Sequence, residues 1–434
     1  MTDQDLSRNE TLSQEDIEQL QIEKLQSTLN RVYRNVSFYK NSFDEHNINI
    51  EDIRSIEDLQ KLPFTTKQDL RNSYPYDMFA VPLRDIIRIH SSRGRTGKPI
   101  AVGYTENDIK NWAKLVSRLY VYAGITQEDV VQIAFDYSMF TGAFGFHYGA
   151  ERLGASVIPS SANSNIQDQI YIMKDYKSTV LLSTPSYAVN MGKNLKEMGV
   201  HPEELSLKIG LFGAEPWGER IRETIEEALH IKAYNNYGVN ELVGPGAACE
   251  CEAQDGLHIS EDHFVVEIID PETLKPVPHG QEGELVFTTI TREGFPLIRY
   301  RTGDLSSFIE GTCSCGRTFK RIQRVALRTD DMFVIRGVNV FPSQIERILS
   351  NVEGVGSSYQ LVIETVDGID SLEICLGVSE DIFNDEMKKM VSLRDEVRRG
   401  ISSEIGVDAK ISLIAPGSFE MDGAGNACKI VDKR

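Results

Sequence analysis

Regular patterning begins at residue 13. From 13 to 33, Ile17, Leu20, Leu25, Leu29 and Val32 recur at helical spacing, and Ser13 and Asp16 stand as a capping pair at the start. From 101 to about 240 the pattern alternates. Short β-rich runs (VVQIAF, ASVIP, TVLLST, KIGLFG) are separated by helix-period stretches, which predicts βαβ units and a largely parallel sheet. Between 263 and 310 the runs HFVVEIID and GELVFTTI are divided by Pro/Gly turns, which predicts antiparallel strands. A third pattern starts near 328. FVIRGVNVFP leads into the helix start SQIERILSNV, then strands near YQLVIETV and SLEICLGV, then a charged helix around 384–404. The predicted class is α/β: a large N-terminal domain, 1–328, with mixed sheets and helices, and a small mobile α+β domain, 331–434, joined by the polar hinge RTDD.

Composition narrows the function. A chain of 434 residues with 41% hydrophobic and 26% charged positions is an ordinary globular composition with room for two or three domains. A formal net charge of −19 argues against nucleic-acid binding. No run is apolar and long enough to span a bilayer, and the polar start MTDQDLSRNE is not a signal peptide, so the expected location is cytoplasmic. Six cysteines are too few for a disulfide framework, and two tight pairs, Cys249/Cys251 and Cys313/Cys315, point towards metal.

Four short stretches carry the candidate chemistry. In IHSSRGRTGKPI, residues 89–100, Thr96, Gly97 and Lys98 suit a phosphate-holding loop, where glycine lets backbone N–H groups approach and lysine adds charge. YNNYGVNE at 234–241 follows a strand-like stretch and sets Glu241 in a polar loop at its carboxyl end, where open α/β sheets bind ligands. GAEPW at 213–217 is in the same situation. YRTGD at 300–304 ends an apolar run with an aspartate. Singly, each reads more readily as a turn than as a site.

In this order, the stretches resemble the phenylacetate–CoA ligase family of the adenylate-forming superfamily. The likeness runs from about residue 15 to the C-terminus and includes LPFTTKQDLRNSYPYDMFAVP, FTGAFGFHYGAERLGASVIP, GELVFTT, PLIRYRTGDL and DDMFVIRGVNVFPSQIE. The resemblance implies an enzyme that joins a carboxylate to ATP with Mg2+, releases pyrophosphate, and passes the acyl group from the adenylate to coenzyme A. It implies that Ser92, Arg93, Gly94, Arg95, Thr96, Gly97 and Lys98 form the phosphate loop. Ala214, Glu215, Tyr237 and Gly238 would surround adenine, Glu241 would ligate magnesium, and Asp304 and Arg328 would hold the ribose. Tyr137, Phe140, Thr141, Gly142 and Pro245 would surround an aromatic or arylacetic acyl group. Asp330 would be the hinge, and Arg336 and Gly337 would lie by the pantetheine path. A homodimer is expected from the same analogy.

The chain departs from the family where ATP is handled. Arg93 and Arg95 replace a serine and a threonine of the loop, and either grip phosphate bidentately or fill the space ATP needs. Asn426 stands at the catalytic lysine of the C-terminal motif, with Lys429 three residues on as a substitute charge. Asn240 replaces the hydroxyl residue before Glu241, and Leu327 the glycine before Arg328. Three readings follow: a ligase with altered adenylation, an ATP-independent transferase moving an acyl group from CoA to a carrier-protein thiol, and a nucleotide- or acyl-CoA-binding pseudoenzyme.

Cys251-x6-His258 and Cys313-Ser314-Cys315 supply four ligands suited to tetrahedral zinc, and some members of the family share the pattern. Cys249 is a neighbour able to compete with Cys251. The plain alternative is thiols beside a histidine with no metal. Four protein ligands would make the zinc structural.

Overall fold

The computed structural model describes residues 8–91, 98–139, 141–162, 164–215, 217–325, 327–329, 333–340, 342–350, 352, 355–366, 369–378, 387–414 and 430–434. The chain divides into a large unit, Met1–Pro185 with Met191–Thr329, and a small unit, Asp330–Arg434 with Ser186–Asn190.

In the large unit, helices α1 (Gln14–Asn35), α2 (Ser37–Glu45) and α3 (Lys67–Asn72) precede a hairpin of β1 (Arg88–Ser91) and β2 (Ala101–Tyr104). Ser13 caps α1 by accepting from the Asp16 N–H at 3.1 Å, as its spacing predicts. Ile17, Leu25, Leu29 and Val32 are buried. Leu20 is only half-buried, and Gln21 takes the inward position instead, its Nε2 donating to the carbonyls of Glu261 and Phe264.

Next come α4 (Glu106–Tyr122), β3 (Val130–Ile133), α5 (Gly142–Leu153), β4 (Ser156–Ile158), α6 (Ile166–Asp175), β5 (Val180–Ser183), α7 (Pro185–Glu197), β6 (Ile209–Phe212), α8 (Glu219–Leu229) and β7 (Lys232–Val239). A Thr105–Asp108 capping box starts α4. Strands β8 (Gly244–Glu250) and β9 (Leu257–Ile259) follow. β10 (Phe264–Ile269), β11 (Gly283–Thr289), β12 (Tyr300–Ser306), β13 (Phe308–Ile309), β14 (Arg321–Ile322) and β15 (Leu327–Arg328) complete the unit.

One nine-stranded sheet has the order β13-β14-β9-β8-β7-β6-β5-β3-β4. Its β4-β3-β5-β6-β7 half is parallel, as the alternation predicts. The antiparallel half from β8 outward is absent from the sequence reading, because the all-buried GPGAACE and LHI show no period-two alternation. A second sheet, β10-β11-β12-β15, is antiparallel.

Two of the motifs read as turns are strands. Tyr234–Val239 lies within β7, and Tyr300–Asp304 lies within β12. Runs of consecutive buried residues, Ala233–Asn236 in the first and Thr302–Asp304 in the second, obscure the alternation that marks a half-exposed strand.

A buried ion cluster ties the N-terminal segment to the core. Arg118 donates from both terminal nitrogens to Asp262 at 2.8 Å, and its Nε lies 3.0 Å from Glu10. Glu10 also accepts from Arg317 at 2.9 Å. Against the upward push of burial, Arg118 holds Asp262 well below the usual carboxylate range.

The small unit has its own core, including Ile335, Ile345, Leu361, Ile374, Val397 and Ile401. A hairpin of β16 (Phe333–Ile335) and β17 (Val338–Val340) turns at Arg336 and Gly337, both at positive φ. Then come α9 (Pro342–Ser350), β18 (Val355–Val366), β19 (Ile369–Val378), α10 (Met387–Ile405), β20 (Lys410–Ile414) and β21 (Ile430–Asp432), with sheet order β20-β19-β18-β21. No helix among the described residues is long and apolar enough to cross a membrane.

Candidate active site

The parallel strands β3, β6 and β7 end on one edge of the sheet, and the motifs gather there. After β6, Ala214 adopts φ 65°, a left-handed conformation unusual for a residue with a Cβ. The turn is tied to β7 by Asn236, whose Nδ2 donates to the Phe212 carbonyl at 2.8 Å. Ala214 is exposed and Glu215 half-buried.

On β7 the Tyr237 hydroxyl donates to Asp304 Oδ2 at 2.6 Å. Arg328 donates to the other Asp304 oxygen and, at 2.8 Å, to the Thr302 carbonyl. Asp304 and Arg328 are register partners across β12 and β15, so strand pairing places this contact. Burial, and then the Asp304 charge, push the Tyr237 phenol well above its ordinary value. Gly238 must be glycine: a Cβ there would lie 1.9 Å from the Gly244 carbonyl oxygen in the tight β7–β8 turn.

Glu241 follows in that turn. The sequence places it in a polar loop, yet it is 5% exposed and has no hydrogen-bond or ion-pair partner among the described residues. A buried carboxylate is costly unless paired or bound to a cation.

Thr141, Gly142 and Pro245 come together beside it. The Thr141 hydroxyl donates to Asn240 Oδ1. Trp112 Nε1 donates to the Pro245 carbonyl at 3.0 Å. Tyr137 is half-buried; its hydroxyl is 3.2 Å from His147 Nδ1, and its ring meets Phe144 edge-on at 5.3 Å. Arg88 lies over Phe144 at 4.7 Å. The sequence reading omits Trp112, Phe144 and His147. The i, i+4 aromatic pair Phe144 and Tyr148 is the signal that points to this face.

Lys98 is exposed just before β2, and Ser92, Arg93, Gly94, Arg95, Thr96 and Gly97 lie outside the described residues, as do Phe140, Asp330, Asn426 and Lys429. Arg336 and Gly337 are exposed in the small unit's hairpin turn.

Away from this edge, the ligand atoms of Cys251, His258, Cys313 and Cys315 lie within 4.8 Å of one another. Cys251 and Cys313 sulfurs are 3.6 Å apart, and Cys315 is 3.4 Å from His258 Nε2. His258 Nδ1 meets the Phe319 carbonyl at 3.2 Å, which turns Nε2 towards the thiols. Burial pushes His258 down to about 4 and Cys251 up to about 12. Cys249 does not compete. Its thiol donates to the Glu250 carbonyl, outside the four-residue group, because it belongs to the buried body of β8 while Cys251 lies past its end.

Comparison with known proteins agrees with the geometry. The model described as AMP-binding enzyme matches residues 15–291, and the AMP-binding enzyme C-terminal domain matches 337–434. The phenylacetate-coenzyme A ligase of Escherichia coli is 42% identical over 436 residues, covering 100% of this chain and 99% of the relative. The enzyme of that name from Thermus thermophilus is 41% identical, covering 98% of each. The chain belongs to the phenylacetate–CoA ligase family of AMP-binding, adenylate-forming enzymes. Among solved structures, 2-hydroxyisobutyryl-CoA ligase with 2-HIB-AMP and CoA matches with a TM-score of 0.89 at 28% identity, covering 98% of this chain and 92% of that one. For a phenylacetate–CoA ligase family member, the site described above lies where the fold class binds ligands.

Proposed function

We propose that the protein is an AMP-forming aryl-CoA ligase. It activates an aromatic or arylacetic acid as its adenylate and forms the coenzyme A thioester. The observation that carries this reading is Glu241, a buried and unpartnered carboxylate at the sheet edge, flanked by the Tyr237–Asp304 pair and the Thr141–Pro245 wall. A carboxylate oxygen is a poor leaving group; its attack on the α-phosphorus of ATP expels pyrophosphate and makes it part of AMP, which the thiol then displaces.

In this reading Glu241 holds Mg2+, which when bound offsets phosphate charge. Asp304 accepts from the ribose hydroxyls, Tyr237 packs on adenine beside Ala214 and Glu215, and Lys98 with Ser92–Gly97 faces the phosphates. Tyr137, Phe140, Thr141, Gly142 and Pro245 hold the acyl group. Arg336 and Gly337 serve the thioester step, Asp330 is the hinge, and domains 1–328 and 331–434 are the working parts. Cys251, His258, Cys313 and Cys315 fit a structural Zn2+ by donor set and spacing. A cytoplasmic homodimer goes with the family resemblance, and light scattering of the purified chain checks the dimer.

The deciding experiment is acid-dependent exchange of labelled pyrophosphate into ATP over a panel of aryl acids, for the protein as it is and for Asn426→Lys. Exchange in both establishes the ligase, and a rise in Asn426→Lys locates the altered adenylation. No exchange in either, with a carrier protein gaining acyl mass from acyl-CoA without ATP, replaces the ligase with the transferase.

A further inference from the structure

Thr141 stands at the N-cap of α5, where its side chain would ordinarily accept from the helix's own first turn. It makes no such bond. Its hydroxyl instead donates to Asn240 Oδ1, at the end of β7 and next to Glu241. Thr141 is 1% exposed and has no room to turn elsewhere, since a Cβ on Gly244 would fall 2.7 Å from its hydroxyl. The rest of the helix start is packed by shape alone: a Cβ on Gly145 would fall 2.5 Å from Trp112 and 2.8 Å from Pro245. Among the described residues, the Thr141–Asn240 bond is therefore the polar tie between the start of α5 and the strand end that carries Glu241.

We infer that Asn240 is a positioning residue for the acid: through Thr141 it holds the α5 segment that lines the acyl pocket in register with the adenylation centre. The inference rests on the ligase reading for the identity of that pocket. The chemistry explains the residue type. An asparagine puts its oxygen one bond farther from the backbone than serine does, so a hydroxyl residue at position 240 does not reach Thr141. The base and ribose contacts of the ligase reading run through Tyr237 and Asp304, which share no hydrogen bond with this tie among the described residues. Losing the tie should therefore weaken the acid and spare adenosine, which carries the base and ribose without the phosphates that Glu241 serves.

The test is calorimetric binding of phenylacetic acid and, separately, of adenosine to the full chain. Thr141→Val keeps the shape and removes the donor, and Asn240→Ser shortens the acceptor. Each should weaken phenylacetic acid by about tenfold, with adenosine affinity unchanged within about twofold. The double variant should be no weaker than either single, since both remove one bond. Thr141→Ser, which restores a hydroxyl, should recover most of the loss. Should Thr141→Val fail to fold, Asn240→Ser carries the same comparison. Unchanged acid affinity, equal losses for acid and adenosine, or additive singles would each overturn the inference. A parent that binds phenylacetic acid yet shows no pyrophosphate exchange retires the ligase reading and leaves the tie standing. A parent that binds no arylacetic acid overturns both.

Discussion

Tyr237 and Asp304 are joined by a 2.6 Å hydrogen bond from phenol to carboxylate, and Arg328 holds the carboxylate's other oxygen. The side chain proposed to hold the ribose is thus oriented by the one proposed to hold the base. In Tyr237→Phe the ring remains and the donor is lost. KM for ATP should rise about fivefold with kcat little changed. The rise should shrink for 2′- and 3′-deoxy-ATP, which lack the hydroxyls Asp304 would receive. Equal rises for all three nucleotides would remove the hydroxyl from ribose recognition.

Glu241→Gln separates activity from stability. Pyrophosphate exchange should fall by about a hundredfold or more, and the Mg2+ concentration for half-maximal rate should rise. Melting temperature should hold or increase, because a buried charge without a partner among the described residues is gone. A lower melting temperature with full exchange would reverse the assignment.

Zinc content is checked by elemental analysis of the purified chain, with about one equivalent expected. Cys313→Ser should lose the metal and lower the melting temperature, while the folded fraction keeps its exchange rate. The reason is distance: Cys251 lies past the far end of β8 from Gly244, about 20 Å at strand spacing. A rate that falls with metal at constant folded fraction would make the ion catalytic.

The fold carries its own pH dependence at His263. Burial pushes this ring down to about 3, and its Nδ1 meets the Thr291 hydroxyl at 2.7 Å. The folded value lies below the unfolded one, so the unfolded chain binds the extra proton first. Stability from this group is complete above about pH 6.5 and is lost as pH falls towards 3. Urea midpoints of His263→Gln should decline less steeply than the parent's between pH 6.5 and 4. Parallel slopes would discount the residue.

Removing one partner of the Arg118–Asp262 pair should cost about 3–5 kcal/mol, because a buried charge is left behind. Urea unfolding of Asp262→Asn measures it, and a change under about 1 kcal/mol would mean that Glu10 alone satisfies Arg118.

How much of this could be read from the chain depended on exposure. Helix α1 announced itself through a cap and a stripe with one wet face, and the parallel half-sheet through its alternation with helices. β8 and β12 did not, since strands buried on both faces lose the two-residue rhythm. Glu241 and Asp304 are singled out by the motifs and the resemblance they carry, and the four candidate metal ligands by their spacing; the fold brings the ligand atoms within 4.8 Å of one another. The site partners are not, because Thr141–Asn240 and Tyr237–Asp304 join positions 99 and 67 residues apart in the chain. Asn240 stood out as a departure, but only the fold gives it a partner.

Helix α5 meets α4 along Gly145 and Gly149, where an added Cβ would fall 2.5 Å from Trp112 and from Val116 respectively. That face has no spare volume to trade, so side chains larger than glycine are closed off there. If the acyl group sits where proposed, evolution or an engineer would change substrate through Tyr137, Phe144 and Tyr148, side chains whose rings border one another.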